Sequence, residues 1–351
     1  MANVVGKHKT AHKSRALGIP KVRGCVVGLT YDVKPDYVFK KGDPEDANAE
    51  FDHPDTIDVI KDAIESGGYK VVKIGNVRKL LRHLNDLNVD IVFNIAEGVS
   101  GRNRESEVPV ILEMAGIPFV GGDGLTLGLT LDKIMAKKVL ISEGIPTPAF
   151  FEVSDIGNID GVGIGYPLIV KPKHEGSSKG ISDRSVVKNR RELKRQAEWV
   201  LRTYKQPALV EKFITGSEFT VPIIGNERPR ALPTVQISID GKTNLGELCY
   251  TFSRIRSDTL SYVCPAKITR ELDRKIKEVS LRAYKAVECR DFGRVDIRVD
   301  KNGNPYVLEI NPLPSLSTED VFMTVARYMK VSYNSIITRI VDYALERYGI
   351  D

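Results

Sequence analysis

Tryptophan and histidine are scarce in this 351-residue chain, one and five respectively, and there are only four cysteines. Cys25, Cys249, Cys264 and Cys289 lie far apart and form no Cys-x-x-Cys, and the scattered histidines add no ligand spacing, so a zinc module is excluded. Reduced thiols in a cytoplasmic protein are the expectation. No apolar run approaches the ~20 residues that a membrane span requires. No internal repeat, low-complexity segment or G-x-x-x-x-G-K-[ST] phosphate loop is present. The first 23 residues lack acid altogether. They hold Lys7, Lys9, Lys13, Arg15, Lys21 and Arg23, which make up the whole net charge of +6: removing these six from the 52 Lys and Arg leaves 46, equal to the 46 Asp and Glu. The neutral remainder argues against a general nucleic-acid footprint. Without an apolar core the leading stretch is no secretory signal. Its acid-free composition would suit an organelle transit peptide, but serine is scarce, and a disordered basic arm over residues 1–23 is expected.

The most informative stretch is Phe292 to Asn311, two alternating runs flanking Asn302-Gly303, the pattern of a two-residue hairpin. With that turn, Lys301 meets Asn304, Asp296 falls opposite Glu309, and Arg294 falls opposite Asn311. Facing carboxylates repel, whereas a hard divalent cation such as Mg²⁺ takes one or two carboxylates plus substrate phosphates. Arg294, Asp296 and Arg298 share one face with Val307, Glu309 and Asn311, and Tyr306, Leu308 and Ile310 are expected on the apolar side. A solvated charged face on an ordinary hairpin is the alternative.

Along the chain, strands at 24–30, 69–74, 89–94 and 117–120 alternate with helices at 55–65, 77–87 and 105–115, a pattern of parallel, doubly wound α/β structure. Its ligand-facing loops are 31–50 and 95–104. A helix at 130–142 follows, then strands at 149–153, 168–171, 208–213 and 218–224 around a helix at 191–204. A helix at 271–288, the hairpin and a helix at 333–347 complete the chain. The length favours two or three domains. The division reads as the arm 1–23, a first domain at 24–130, and two subdomains at 131–212 and 213–351.

A buried strand ends in Lys171 and runs into Lys173-His174-Glu175-Gly176-Ser177-Ser178-Lys179-Gly180, whose small residues let backbone N–H groups approach phosphate oxygens. A flexible surface turn is the alternative. Lys133, early in a helix, would in isolation be solvent-exposed. Taken together, Leu131-Asp132-Lys133, Val170-Lys171-Pro172, Glu175 to Gly180, Val210-Glu211-Lys212-Phe213, Gly216 to Val221, Cys264-Pro265-Ala266, Gly293 to Asp296 and Glu309-Ile310-Asn311 occur in one order. The chain from about Arg23 onward thereby resembles the ATP-grasp ligases, most closely the D-alanine–D-alanine ligases.

That resemblance implies an N-terminal Rossmann-like domain followed by a two-subdomain ATP-grasp fold, α/β and α+β in class. It implies an ADP-forming ligase that activates a carboxylate as an acyl phosphate for attack by an amine. ATP would lie with Lys133 and Lys171 on its phosphates and the loop bearing Glu175, Gly176, Ser178 and Gly180 over them. Glu211 and Phe213 would meet adenine and Glu218 the ribose. Mg²⁺ or Mn²⁺, usually two ions, would sit on Asp296, Glu309 and Asn311. Arg294 is the candidate for the oxyanion. The partners are small amino-acid or amine substrates, with neither nucleic acid nor membrane, and the family is commonly dimeric.

Several positions depart from the family pattern. Arg254 stands where a phosphate-contacting Lys is usual, and Ile255 replaces the Tyr that would partner Ser177. Asn94-Ile95-Ala96-Glu97-Gly98 replaces a histidine-bearing loop. Ser315 and Asp320 fall where the second substrate's carboxylate is met, with Arg102, Arg104 or Lys179 as compensating charges. Asp32, Glu97 and Asp320 would suit a cationic amine, while Arg102 and Arg104 could equally be surface charges. A different substrate pair, a bicarbonate-activating relative of biotin carboxylases and a non-catalytic nucleotide-binding protein are the competing readings.

Overall fold

The computed structural model describes residues 24–159 and 163–350, so the basic arm lies outside the described residues. Four parallel strands form the first sheet: β1 (Val26–Tyr31), β2 (Lys70–Gly75), β3 (Ile91–Ile95) and β4 (Phe119–Val120), in the order β2-β1-β3-β4. The intervening helices are α1 (Pro54–Ser66), α2 (Val77–His83) and α3 (Glu107–Ala115). Their ends follow local chemistry. Pro54 opens α1, the Asn76 side chain accepts from Lys79 N to cap α2, and Gly116 ends α3 in the left-handed conformation.

The expected helix at 130–142 is instead two, α4 (Gly124–Leu131) and α5 (Lys133–Ser142). Asp132 leaves helical geometry and its side chain accepts from Met135 N at 3.1 Å, so it caps a new helix. Lys133 becomes the first residue of α5 and is buried rather than exposed.

The second sheet is antiparallel, β5 (Phe150–Val153), β6 (Leu168–Pro172), β7 (Val186–Val187) and β8 (Ala208–Lys212), ordered β5-β8-β6-β7. The helix α6 (Arg190–Tyr204) covers it through Leu193, Ala197 and Val200. The third sheet holds β9 (Ser217–Ile224), β10 (Arg230–Ala231), β11 (Val235–Ile239), β12 (Leu260–Val263), β13 (Phe292–Val299) and β14 (Pro305–Asn311), with main order β12-β11-β9-β13-β14. A one-turn helix α7 (Phe252–Ile255) precedes β12, and α8 (Arg270–Ala286) packs Ile276, Val279 and Ala283 on the sheet. The sequence pattern did not single out β11 and β12. In β11 Val235, Ile237 and Ile239 alternate with Gln236 and Ser238, and all five are buried. The last helices, α9 (Val321–Met329) and α10 (Tyr333–Tyr348), return to the first sheet, and Phe322, Ile337 and Ile340 share a core with Val27, Leu29 and Ile60. Among the described residues no helix is long and apolar enough to cross a membrane.

The hairpin keeps the expected partners at its functional end by a different route. Arg294 pairs with Asn311 and Asp296 with Glu309, but Val299 pairs with Pro305, Arg298 with Tyr306 and Ile297 with Val307. Asp300 N donates to Asn304 O, so the turn spans one residue more than the Asn302-Gly303 reading allows. A bulge at Leu308 restores the register. It also swaps faces: Val307 enters the core and Leu308 turns to the cavity.

Candidate active site

One cavity of about 1090 Å³ lies where the three sheets meet, walled by β6, β8, β9, β13, β14 and the loops of the first sheet. Its chemistry divides in two.

At the first end, Glu211 pairs across the ladder with Ile169 and lies diagonal to Lys171 on the same face. Its Oε1 accepts from Lys171 Nζ at 2.6 Å and its Oε2 lies 2.7 Å from Lys137 Nζ, all three side chains being buried. Burial alone would raise the Glu211 carboxyl, but Lys137 and Lys171 pull it down to about 2. Burial likewise raises Glu218, and Arg298 lies 3.6 Å from it. The Arg298 guanidinium sits 4.5 Å over the Phe213 ring and donates to the carbonyls of Gly216, Gly246 and Leu248 at 3.1–3.3 Å. Gly216 is obligatory: a Cβ there would stand 2.1 Å from Val299 O.

Asp296 accepts from Arg294 Nε and Nη2, both at 3.0 Å, from Thr220 Oγ1 at 2.6 Å and from Asn311 Nδ2 at 2.9 Å. Glu309 lies 3.3 Å from Lys133 Nζ. Burial opposes ionisation of Glu309, but Lys133, Lys171 and Arg294 hold its carboxyl below the usual range. Among the described residues no cluster of three or more His, Cys, Asp or Glu side chains makes a metal cage. Two facing carboxylates and one amide oxygen nonetheless fit a hard cation that completes its shell with water and phosphate. The Asn311 amide nitrogen is spent on Asp296, which leaves its Oδ1 to accept.

The loop after β6 closes one side. Glu175, Gly176, Ser177 and Ser178 line the cavity, with Ser177 and Ser178 both in the left-handed region at φ 46° and 56°. Gly180 does not line it; its N–H donates to Asp46 at 2.8 Å.

The second end is acidic. Glu97, Ser315 and Asp320 line it as expected, joined by Lys34, Asp52, Glu105 and the hydrogen-bonded Tyr250–Tyr262 pair. Asp320 accepts from Val321 N at 2.6 Å to cap α9, and lies 3.9 Å from Arg294 Nη1. Among the described residues no hydrogen bond reaches the carboxylates of Asp52, Glu97 or Glu105; Glu105 is 3.9 Å from Arg104. Burial pushes Asp52 and Glu105 each up to about 7, and raises Glu97 well above its ordinary value.

Besides Gly180, four expected residues sit off the cavity wall. The buried Asp32 accepts from Gly98 N at 2.9 Å and pins that turn. Arg102 is exposed and bonds Asp132 at 3.2 Å. Arg104 is buried against Glu50 at 2.6 Å and the His174 carbonyl at 2.7 Å, so both arginines are held by groups of the protein itself. Arg254 bonds Asp183 at 2.6 Å and Cys249 O at 3.0 Å, and Arg256 takes the cavity wall instead. Lys137, Glu50, Asp52 and Glu105 were not singled out. Glu50 and Lys137 take their partners Lys179 and Glu211 from remote segments, which no local pattern carries, and Asp52 and Glu105 have no hydrogen-bonded carboxylate partner to mark them.

Residues 144–342 match the family model described as D-ala D-ala ligase C-terminus. The chain is 36% identical over 258 residues to the uncharacterized protein y4sG of Sinorhizobium fredii, covering 74% of this chain and 75% of that protein. It is 33% identical to the D-alanine–D-alanine ligase of Desulforudis audaxviator, covering 81% and 91%. The crystal structure of the Bacillus anthracis D-alanine–D-alanine ligase complexed with ATP superposes with a TM-score of 0.71 at 23% identity, over 93% of this chain and 99% of that one, a likeness of fold. With two lysines, a pair of facing carboxylates and a closing loop around one cavity, the chain belongs to the D-alanine–D-alanine ligase family, with its ATP-grasp fold, and is an ATP-dependent carboxylate–amine ligase.

Proposed function

We propose that this chain joins two amino acids, with D-alanine as first candidate for both, through an acyl phosphate and with release of ADP. The observation that carries this reading is the juxtaposition of Lys133 and Lys171 with the facing pair Asp296/Glu309 on one cavity wall. Lys133 and Lys171 hold phosphate oxygens as fixed cations, and Glu175, Gly176, Ser178 and Gly180 shape the loop above them. Glu211 accepts a hydrogen bond from Lys171 and pairs in charge with Lys137, yet keeps lone pairs for the adenine amino group. Phe213 packs on the base and Glu218 takes the ribose hydroxyls. Asp296, Glu309 and Asn311 are the residues that would hold Mg²⁺, in one or two ions. Bound there, the metal would supply charge neutralisation at the transferring phosphoryl group.

The substrate carboxylate attacks the terminal phosphorus of ATP, and ADP leaves. The amine then attacks the activated carbonyl, and phosphate leaves as the amide forms. Arg294 has Nε and Nη2 fixed on Asp296, so its Nη1 is the donor left for the tetrahedral oxyanion. Ser177 lies on the loop beside the reacting phosphate, and Arg254 contributes from behind the wall. Ser315 and Asp320 flank the incoming amine's carboxylate, and Asp32 fixes the turn that presents Glu97. A homodimer in the cytoplasm is the expected form.

The test is ADP release with Mg²⁺-ATP and a panel of D- and L-amino acids, followed by product mass. D-Ala-D-Ala formation at a millimolar or lower Michaelis constant supports the reading. The panel includes diamino acids, because Asp52, Glu97 and Glu105 present carboxylates without hydrogen-bond partners. Turnover with those alone would replace D-alanine as the substrate while leaving the ligase chemistry intact.

A further inference from the structure

Arg104 does not touch the cavity, yet it is among the most heavily committed side chains in the molecule. Its guanidinium is 3% exposed, with Nη2 donating to Glu50 Oε1 at 2.6 Å, Nη1 to His174 O at 2.7 Å, and Glu175 Oε2 3.6 Å away. Glu50 Oε1 also accepts from Gly176 N at 2.5 Å, and its Oε2 accepts from Lys179 Nζ at 3.1 Å. Lys179 pairs in turn with Glu175 at 2.5 Å. A few residues away, Asp46 accepts from Gly180 N and from Tyr204 OH, both at 2.8 Å. Three segments distant in sequence, 46–50, 98–105 and 174–180, are thus cross-tied at both ends of the phosphate loop.

We propose that Arg104 is a positioning residue that latches the phosphate loop shut over the acyl phosphate, an inference that rests on the ligase reading. A planar guanidinium fork holds a carboxylate from one segment and a carbonyl from another in fixed geometry in a dry site. The fit is close: a Cβ at Gly176 would stand 2.9 Å from Glu50 Oε1, and one at Gly98 would stand 2.6 Å from Arg104 O. Arg104 is also joined by a peptide bond to Glu105, which lines the amino-acid end with Glu97. The latch therefore ties the loop over the phosphates to the wall that meets the amine. Ile255 stands where the family's usual loop partner would be, and the Glu50–Arg104–Lys179 set takes over that closing role. When the latch is loose, a water oxygen reaches the acyl carbon, the bond to the phosphate oxygen breaks and inorganic phosphate leaves. The carboxylate is regenerated and one ATP is spent without an amide.

The test uses the full chain with Arg104→Met and Arg104→Lys. In the unliganded protein, amide hydrogen exchange at Gly176 and Gly180 should quicken by roughly tenfold or more in R104M and less in R104K, with the amides of α10 unchanged as a control on folding. Under turnover, ADP released per amide formed should stay near one in the wild type and rise severalfold in R104M. Unchanged exchange at both glycines, or ADP and amide falling in equal proportion, would overturn the proposal. Should R104M fail to fold, Lys179→Met removes the other cation on Glu50 and is read in the same way. A wild type that releases ADP but never forms an amide would refute the ligase reading, while the exchange measurement would still decide the latch.

Discussion

The two ends of the cavity hold acids in opposite states. At the nucleotide end every carboxylate has a cation in place: Glu211 lies between Lys137 and Lys171, Asp296 is gripped by Arg294, and Glu309 faces Lys133. At the amino-acid end Asp52, Glu97 and Glu105 face a shared space without hydrogen bonds to their carboxylates. Preorganised charge suits a polyanion, whose binding needs fixed cations that do not reorganise during reaction. Acid without hydrogen-bonded partners suits a group that brings its own positive charge, such as the ammonium of an amino acid. On the proposed assignment, the nucleotide end is built before its ligand arrives, and the amino-acid end is completed by it.

The largest effect should come from Asp296→Asn. The amide keeps most of the local shape but removes the charge that faces Glu309, so ADP release at saturating ATP should fall by about 10³-fold or more, and the melting temperature should drop as well because Arg294 loses its bidentate carboxylate. A fall of less than about tenfold would mean that Glu309 and Asn311 alone hold the metal.

Lys137→Met tests whether the paired end owes its stability to its pairs. Glu211 would keep Lys171 but lose half its compensation at a fully buried site. Breaking such a pair costs about 3–5 kcal/mol, read by chemical denaturation. The double variant Lys137→Met/Glu211→Gln should recover part of that loss. If the single variant is neutral, the order at this end does not depend on the ion pair.

Asp52→Asn applies the same question to the other end. The Asp52 carboxyl moves from an ordinary value of 3.8 up to about 7 in the folded protein through burial. A raised carboxyl contributes stability that is complete below the unfolded value and is lost as pH climbs through the folded one. The wild type should therefore weaken between about pH 4 and pH 7 relative to the variant. At pH 8 the variant should be more stable by about 1–2 kcal/mol, an advantage that vanishes near pH 4. A pH-independent difference would mean that Lys34 already compensates Asp52.

Legibility in the sequence followed the same division. The nucleotide end is built from short contiguous strands, so alternation placed Asp296 opposite Glu309 and put Lys171 at a strand end. Even there the agreement at Asp296 holds through a compensation: the turn at Asp300–Asn304 is longer than Asn302-Gly303 implies, and the bulge at Leu308 absorbs the difference. The amino-acid end and the latch are assembled from loops whose partners are remote, Glu50 with Gly176 and Asp32 with Gly98. Arginine in such a loop looks the same whether it faces a substrate or a buried acid. Arg104 was placed near a carboxylate and does bind one, but the carboxylate belongs to the protein.

Arg254 and Arg256 give the smallest expected effect and the sharpest local contrast. The family resemblance puts Arg254 at the phosphate contact, yet its guanidinium is turned to Asp183 and to the Cys249 carbonyl. Asp183 is 74% exposed, and pairs of that kind contribute about 0–1 kcal/mol. Arg256, two residues on, lies 5.4 Å over the Phe252 ring and lines the cavity. Arg254→Ala should therefore change the Michaelis constant for ATP by less than about threefold, within the range of a surface pair, while Arg256→Ala changes it by more. The reverse order would mean that α7 rotates when nucleotide binds, exchanging Asp183 for phosphate on Arg254. The preorganisation of the nucleotide end would then stop at the sheets and exclude the short helix above them.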